Sequence, residues 1–241
     1  FSDVYKNKTV IVTGCTGFKG SWLALWLVEL GAKVIGISLD PPTSPSHFES
    51  INLKNLIEDL RIDIRDKDSL KKIFDKSKPD FIFHLAAQSL VSESINNTIE
   101  TFSINTLGTI TVLECLKELD HNCNAILITS DKCYENVEWL WGYKETDKLG
   151  GKDPYSASKA AAEIAISSYS RTFFSNKRNI KIASTRAGNV IGGGDWAKDR
   201  IVPDCIRSWI NQKKVFLRNP NSTRPWQHVL EPISGYLSLG E

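Results

Sequence analysis

The chain has 241 residues, 41% hydrophobic and 24% charged, an ordinary globular composition whose length suits one large domain, or one plus part of another. A net charge of +2 gives no electrostatic case for nucleic acid or an anionic membrane as partner, and no apolar run reaches the length of a membrane span. Five cysteines (Cys15, Cys115, Cys123, Cys133, Cys205) are odd in number and lack metal-ligand spacing, so free thiols, no metal site and a reducing cytoplasm are expected. Phe1-Ser2-Asp3-Val4-Tyr5-Lys6 does not read as a signal peptide, which makes the triplets at Asn7, Asn96 and Asn221 chance sequons. The chain has no methionine and stops inside a helical pattern at 234–241, so a fragment of a longer protein is expected.

The first element is a buried strand, Thr9-Val10-Ile11-Val12. A glycine turn follows, Thr13-Gly14-Cys15-Thr16-Gly17-Phe18-Lys19-Gly20, and then an apolar helix over 21–30. Strand, glycine turn and helix in that order make a phosphate cradle. Gly14 allows the tight turn, Gly17 lets backbone approach a pyrophosphate, and Gly20 lets the helix pack close to the sheet. The positive end of the helix then faces the phosphates. A second buried strand over 33–39 ends at Asp40, twenty residues past Gly20. Asp40 either holds an adenosine ribose hydroxyl or caps a turn. An acid there, followed by Pro41-Pro42 and not arginine, favours NAD over NADP.

Residues 41–49 read as a surface loop. Leu60-Arg61-Ile62 is a short strand, and Asp63 and Ile64 at its end lie where an adenine ring would sit, with Asp63 in reach of its amino group. An amphipathic helix over 68–77 leads to a strand at 81–85. Leu85-Ala86-Ala87-Gln88 then offers small residues against a flat cofactor, and His84 reads as a core histidine. A long helix over 92–119 carries Asn105, unfavourable by propensity and therefore either a site residue or a tolerated polar one. A strand over 125–129 ends in Ser130-Asp131-Lys132. Asp153-Pro154 opens the next helix, and 180–185 is a sixth strand. Strands alternating with helices predict a doubly wound parallel sheet with right-handed crossovers. After Arg186, glycines, prolines, arginines and three tryptophans (Trp196, Trp209, Trp226) predict a smaller, loop-rich region.

Tyr155 and Lys159 are four apart and share a helix face. The ammonium of Lys159 can hold a nicotinamide ribose and lower the phenol's pKa, making Tyr155 a base for a sugar hydroxyl. Ser130, at the carboxyl end of a strand, can bind the same hydroxyl.

These features, with Thr129-Ser130-Asp131-Lys132-Cys133-Tyr134, Gly150-Gly151-Lys152-Asp153-Pro154-Tyr155-Ser156, Arg186-Ala187-Gly188-Asn189-Val190-Ile191-Gly192-Gly193-Gly194-Asp195-Trp196 and Arg224-Pro225-Trp226-Gln227-His228-Val229-Leu230-Glu231-Pro232, resemble the extended short-chain dehydrogenase/reductase family. The resemblance runs from Lys8 to Glu241 and is closest to the nucleotide-sugar 4,6-dehydratases of the CDP-sugar branch. It implies an α/β protein: a Rossmann-like NAD-binding domain over 1–186 and the start of a nucleotide-sugar-binding region over 187–241, cut short relative to the family. It further implies NAD as cofactor, CDP-glucose as substrate, and a place in 3,6-dideoxyhexose or O-antigen type sugar biosynthesis. The implied reaction oxidises C4, eliminates water across C5 and C6, and returns hydride to C6. Tyr155 would be the C4 base and Asp131 the acid for the departing C6 hydroxyl. Lys132 stands where the dTDP-glucose dehydratases carry a glutamate base, and as a base it would need burial or a neighbouring cation to be neutral. Asn189 matches a position that holds the sugar diphosphate. Arg200, Arg218 and Arg224 are either diphosphate or cytosine neighbours or solvated arginines. The family also implies a homodimer or homotetramer built on the helices over 92–119 and 154–173. Two rivals share the fold: a nucleotide-sugar 4-epimerase or another NDP-hexose dehydratase, and a non-catalytic NAD-sensing protein.

Overall fold

A computed structural model describes residue 1 and residues 3–241. Six strands form one parallel sheet: β1 (Thr9–Thr13), β2 (Lys33–Ser38), β3 (Glu58–Arg61), β4 (Phe81–His84), β5 (Cys123–Ile128) and β6 (Ile180–Thr185). Their order is β3-β2-β1-β4-β5-β6, with Val10 of β1 beside Val34 of β2 on one side and Phe81 of β4 on the other. The central strands are near-continuous apolar runs because helices cover both faces. The order reverses direction between β1 and β4, and there a crevice opens at the carboxyl ends of the strands. The doubly wound parallel sheet expected from the alternation is therefore what forms.

On one face lie α1 (Phe18–Glu29) and α9 (Leu230–Gly240), closing a core around Leu23, Leu27, Phe83, Ile233 and Leu237. The Tyr5 hydroxyl donates to the Leu237 carbonyl at 2.5 Å, so α9 packs into the main core. Gly31 ends α1: at φ +79° its N–H reaches the Val28 carbonyl at 2.9 Å. Between β2 and β3 a short α2 (His47–Ser50) is capped by Ser46. The other face carries α3 (Lys67–Ser77), capped by Asp66, and the helices that follow β4 and β5.

The helix expected over 92–119 is broken. It comprises α4 (Val91–Asn96), α5 (Thr98–Phe102), a π-turn (Ser103–Leu107) and α6 (Gly108–Glu118). Asn97, at φ −128° and ψ 59°, makes the first break, and the π-turn surrounds the buried Asn105. After β5 a short 3₁₀ turn, Asp131–Cys133, precedes α7 (Pro154–Tyr169), whose start is fixed by Asp153 accepting from the Ser156 N–H at 2.9 Å and by Pro154 in the first turn. Beyond β6 the chain leaves the sheet. It forms β7 (Val190–Ile191), α8 (Ile201–Ile210) and β8 (Gln227–His228), with β7 and β8 paired in parallel, and then returns through α9.

Candidate active site

The glycine cradle has the geometry its sequence suggests. Gly14 sits at φ +76°, and a Cβ there would lie 2.7 Å from the Ala86 nitrogen. The turn after β1 therefore touches the turn after β4, which sets the floor of the crevice. At Gly20 a Cβ would meet the Gly14 oxygen at 2.0 Å, so α1 packs directly on its own turn. The first N–H groups of α1 have no intrahelical partner, no side chain caps them and no acid lies in that turn. Such an end suits a dinucleotide's pyrophosphate. Thr16 fastens the turn to β2, its hydroxyl donating to the Leu39 carbonyl at 3.0 Å.

Just past β2, Asp40 is exposed and lies 3.5 Å from the Arg61 guanidinium. That arginine comes from β3, also donates to the Leu39 carbonyl at 3.2 Å, and covers the Phe48 ring at 5.1 Å. Asp63 gives its carboxylate to Arg65, at 2.6 Å from Nη2. The Arg65 hydrogen bonds hold Asp63 below the usual carboxylate range against the effect of burial. Ile64 is buried, against Gly108 of α6. Leu85 and Ala86 take their N–H groups to the Thr13 carbonyl and hydroxyl. Asn105 clamps the far side of this turn. Its oxygen accepts from the Gln88 N–H at 2.8 Å, and its NH₂ donates to the Gln88 carbonyl and the Ser158 hydroxyl, each at 2.9 Å. Asn105 thus ties the turn after β4 to α7. His84 is the core histidine expected, between Thr13 (2.8 Å) and Thr109 (3.1 Å), its pKa pushed down to about 3 by burial and the nearby Lys159 charge.

Ser130, Asp131, Lys132 and Tyr155 line one cleft of about 730 Å³, together with Phe18, Lys19, Asn189, Arg200, Arg218 and Arg224. That volume suits a small-molecule site. The Ser130 hydroxyl lies 3.1 Å from Asp131 Oδ1 and accepts from the Lys132 N–H at 3.3 Å. Tyr155 and Lys159 are both buried, and Lys159 Nζ donates to the Ile128 carbonyl at 3.4 Å. The expected lowering of the Tyr155 phenol is not found. Burial pushes it up, and contact with Ser130 and the Arg200 charge only partly oppose this. Nor is Lys132 buried; its side chain is exposed at the cleft. Burial falls on two other amines. Lys159 is brought down to about 8 by burial and by the Lys19 charge, and Lys19 to about 8 by burial and Arg200, with Asp131 opposing.

The wall after β6 is built on the first turns of α1 and α2. Trp22 stacks on His47 with ring centres 4.3 Å apart, and its indole N–H donates to the Gly193 carbonyl at 2.9 Å. Gly194, at φ +84°, lies so close to His47 that a Cβ would come within 2.4 Å of the histidine Cβ. This platform holds the loop that leads from Asn189 to Asp195. Asp195 in turn fixes Arg200 at 2.8 Å, and Arg200 reaches the Ser89 hydroxyl at 3.2 Å. Arg218 pairs with Asp199 at 3.1 Å, while Arg224 is exposed and donates to the Thr223 carbonyl. Trp226 is exposed on the cleft wall. The five cysteines are unpaired thiols. Among the described residues no helix is long and apolar enough to cross a membrane, and no group of side chains has metal-binding geometry.

The family described as GDP-mannose 4,6 dehydratase matches residues 11–239. A CDP-glucose 4,6-dehydratase of Salmonella typhimurium is 51% identical over 99% of this chain and 68% of its own length. Among solved structures, the epimerase Mth375 of Methanothermobacter thermautotrophicus superposes with a TM-score of 0.85 at 26% identity, covering 99% of this chain and 69% of that one. A double mutant of the dTDP-glucose 4,6-dehydratase DesIV of Streptomyces venezuelae, solved with NAD bound, gives 0.84 at 23% identity, covering 96% and 72%.

Proposed function

Because the chain belongs to the GDP-mannose 4,6 dehydratase family of NAD-dependent epimerases and dehydratases, and is 51% identical to a CDP-glucose 4,6-dehydratase, we infer that it is a lyase converting CDP-D-glucose to CDP-4-keto-6-deoxy-D-glucose. One observation carries this reading: Ser130, Asp131, Lys132 and Tyr155 line a single cleft at the carboxyl edge of the sheet, with Lys159 one helical turn behind.

The residues take the following parts. The open end of α1, with Gly14, Gly17 and Gly20, receives the pyrophosphate of NAD. Asp40 and Arg61 flank the adenosine ribose, and Lys159 holds the other ribose. Bound NAD would supply the hydride acceptor for the sugar C4 and the hydride donor for C6. Tyr155 takes the C4 hydroxyl proton while Ser130 binds the same oxygen. Burial holds the phenol protonated at rest, and the Ser130 hydroxyl and the Arg200 charge are the groups of this chain that favour its ionised form. The 4-keto group then acidifies the C5 proton. Asp131 protonates the departing C6 hydroxyl; Lys132 lies exposed at the cleft rim, and it takes the C5 proton only once bound substrate covers its amine. Asn189, Arg200, Arg218 and Arg224 receive the diphosphate and cytosine.

Residues 1–186 supply the dinucleotide half, and the excursion after Arg186 supplies the nucleotide-sugar wall. The apolar side chains of Ile95, Ile99, Leu107, Ile164 and Phe173 stand exposed on the helices between β4 and β6; pairing that face makes a homodimer, which can assemble further to a tetramer. The product class feeds deoxysugar biosynthesis.

The test is turnover across CDP-, dTDP-, GDP- and UDP-glucose, read as the alkali absorbance of a 4-keto sugar. Keto product from CDP-glucose above the others is expected. Interconversion at C4 without loss of water would mean an epimerase, and no turnover of any would end the enzyme reading.

A further inference from the structure

One buried group near the reacting residues has no part in that scheme. Glu163 lies on α7, four residues beyond Lys159 and eight beyond Tyr155, so the three project along one helix face. Its residue exposure is 4%. A carboxylate this deep needs partners, and it has three. Arg186 Nη2 donates to Oε2 at 2.8 Å, the Ser184 hydroxyl donates to the same oxygen at 3.1 Å, and the Thr129 hydroxyl donates to Oε1. Thr129 immediately follows β5 and precedes Ser130. Ser184 lies at the end of β6 and Arg186 just past it, ahead of the Asn189 loop. One carboxylate thus ties the catalytic helix to the ends of the two strands from which the rest of the site departs. Arg186 extends the tie outward: its guanidinium covers the Tyr134 ring at 4.8 Å and reaches the Glu145 carbonyl at 3.3 Å.

A buried ion pair is a poor source of net stability but a good device for fixing register. We propose that Glu163 is a positioning residue for the dehydratase reaction: it locks α7 in register with Ser130 and holds a buried carboxylate one helical turn beyond Lys159. The proposal rests on the dehydratase reading above. The charged and titratable groups that face Lys159 are Lys19 from α1, His84 from β4, Cys133 from the 3₁₀ turn, and Tyr155 and Glu163 from its own helix. Burial and the Lys19 charge pull the ammonium down, while Glu163 and Cys133 hold it up. At neutral pH the thiol of Cys133 is uncharged, since burial pushes its pKa up to about 12. Glu163 is therefore the fixed anion in this set.

The test compares Glu163→Gln, Glu163→Asp and Thr129→Val with the wild type in the intact chain, reading kcat, KM for CDP-glucose, the pH dependence of kcat and the melting temperature. Glu163→Gln keeps the shape and removes the charge. Its kcat should fall about tenfold to a hundredfold with KM nearly unchanged, and the alkaline limb of its pH profile should move to lower pH. Glu163→Asp should return the limb to its wild-type position. Thr129→Val cuts one tie without altering charge, so its kcat should fall with the limb in place; this variant decides the matter if Glu163→Gln does not fold. A Glu163→Gln protein that melts earlier but keeps the wild-type kcat and pH profile would overturn the proposal, as would a Thr129→Val protein of wild-type kcat if that variant alone folds. A wild type inactive on every nucleotide sugar would instead sink the dehydratase reading, and this proposal with it.

Discussion

Replacing Gly14 with alanine tests the cradle most directly, because two separate penalties meet at one atom. The backbone is at φ +76°, a left-handed conformation that costs an L-residue about 1–2 kcal/mol. The added methyl would also lie 2.7 Å from the Ala86 nitrogen and 2.9 Å from the Leu85 carbonyl carbon, all backbone atoms that no rotamer change can move aside. Forced contacts of this kind cost about 1–3 kcal/mol. Together they put the loss at roughly 2–5 kcal/mol, each kcal/mol lowering Tm by about 2–4 °C in a domain of this size. Any part relieved by parting the turns after β1 and β4 moves the N–H groups that face the pyrophosphate, so NAD affinity falls by at least about tenfold, the equivalent of 1.4 kcal/mol. Gly142, with nothing within 4 Å of its Cβ position, supplies the control, and Gly142→Ala should change neither quantity. Calorimetric melting and titration of NAD by protein fluorescence measure both. A Gly14→Ala protein that melts and binds NAD like the wild type would show that the two turns do not meet as described.

Tyr155→Phe keeps the ring and removes the base; kcat should drop about 10²- to 10⁴-fold with melting temperature and NAD affinity unchanged, and a smaller loss would place proton removal elsewhere. Gly194→Ala presses on His47 and displaces the loop carrying Asn189 and Asp195, so KM for CDP-glucose should rise while NAD affinity holds; a selective effect on NAD would contradict the assignment of that wall. His84 is held neutral well below its unfolded pKa of about 6.5. The unfolded chain takes up a proton that the folded one refuses, so its contribution to stability is present above pH 6.5 and is lost as pH falls toward 3. Nitrogen NMR of the ring, titrated on the folded protein, should show a neutral imidazole through pH 5; a midpoint near 6.5 would refute the burial argument.

Local pattern made the strands, the glycine cradle and the Tyr155–Lys159 pair legible, because each is a contiguous run or a fixed spacing on one element. What escaped depends on contacts between distant segments. Arg61 reaches Asp40 only because β3 lies beside β2. Trp22 and His47 form a platform for a glycine loop whose Gly193 lies 171 residues beyond Trp22. The break at Asn97 and the π-turn at Asn105 interrupt a stretch whose apolar period reads as one helix, since the clamp on Gln88 and Ser158 that fills the turn is tertiary. Charge states were the least legible of all. Sequence spacing brings an ammonium near a phenol but says nothing of how dry the place is; dryness reverses the sign for Tyr155, and it falls on Lys19 and Lys159 while Lys132 stays exposed. Glu163 had a signal, the same four-residue step continued past Lys159.

The return of α9 to the sheet means that the stretch from Ala187 to Val229 departs from β6 and is moored again beneath the same hydrophobic floor. Such a span can be exchanged like a cassette: its loops can change while both moorings, and the Tyr155–Lys159 helix beside them, stay where they were.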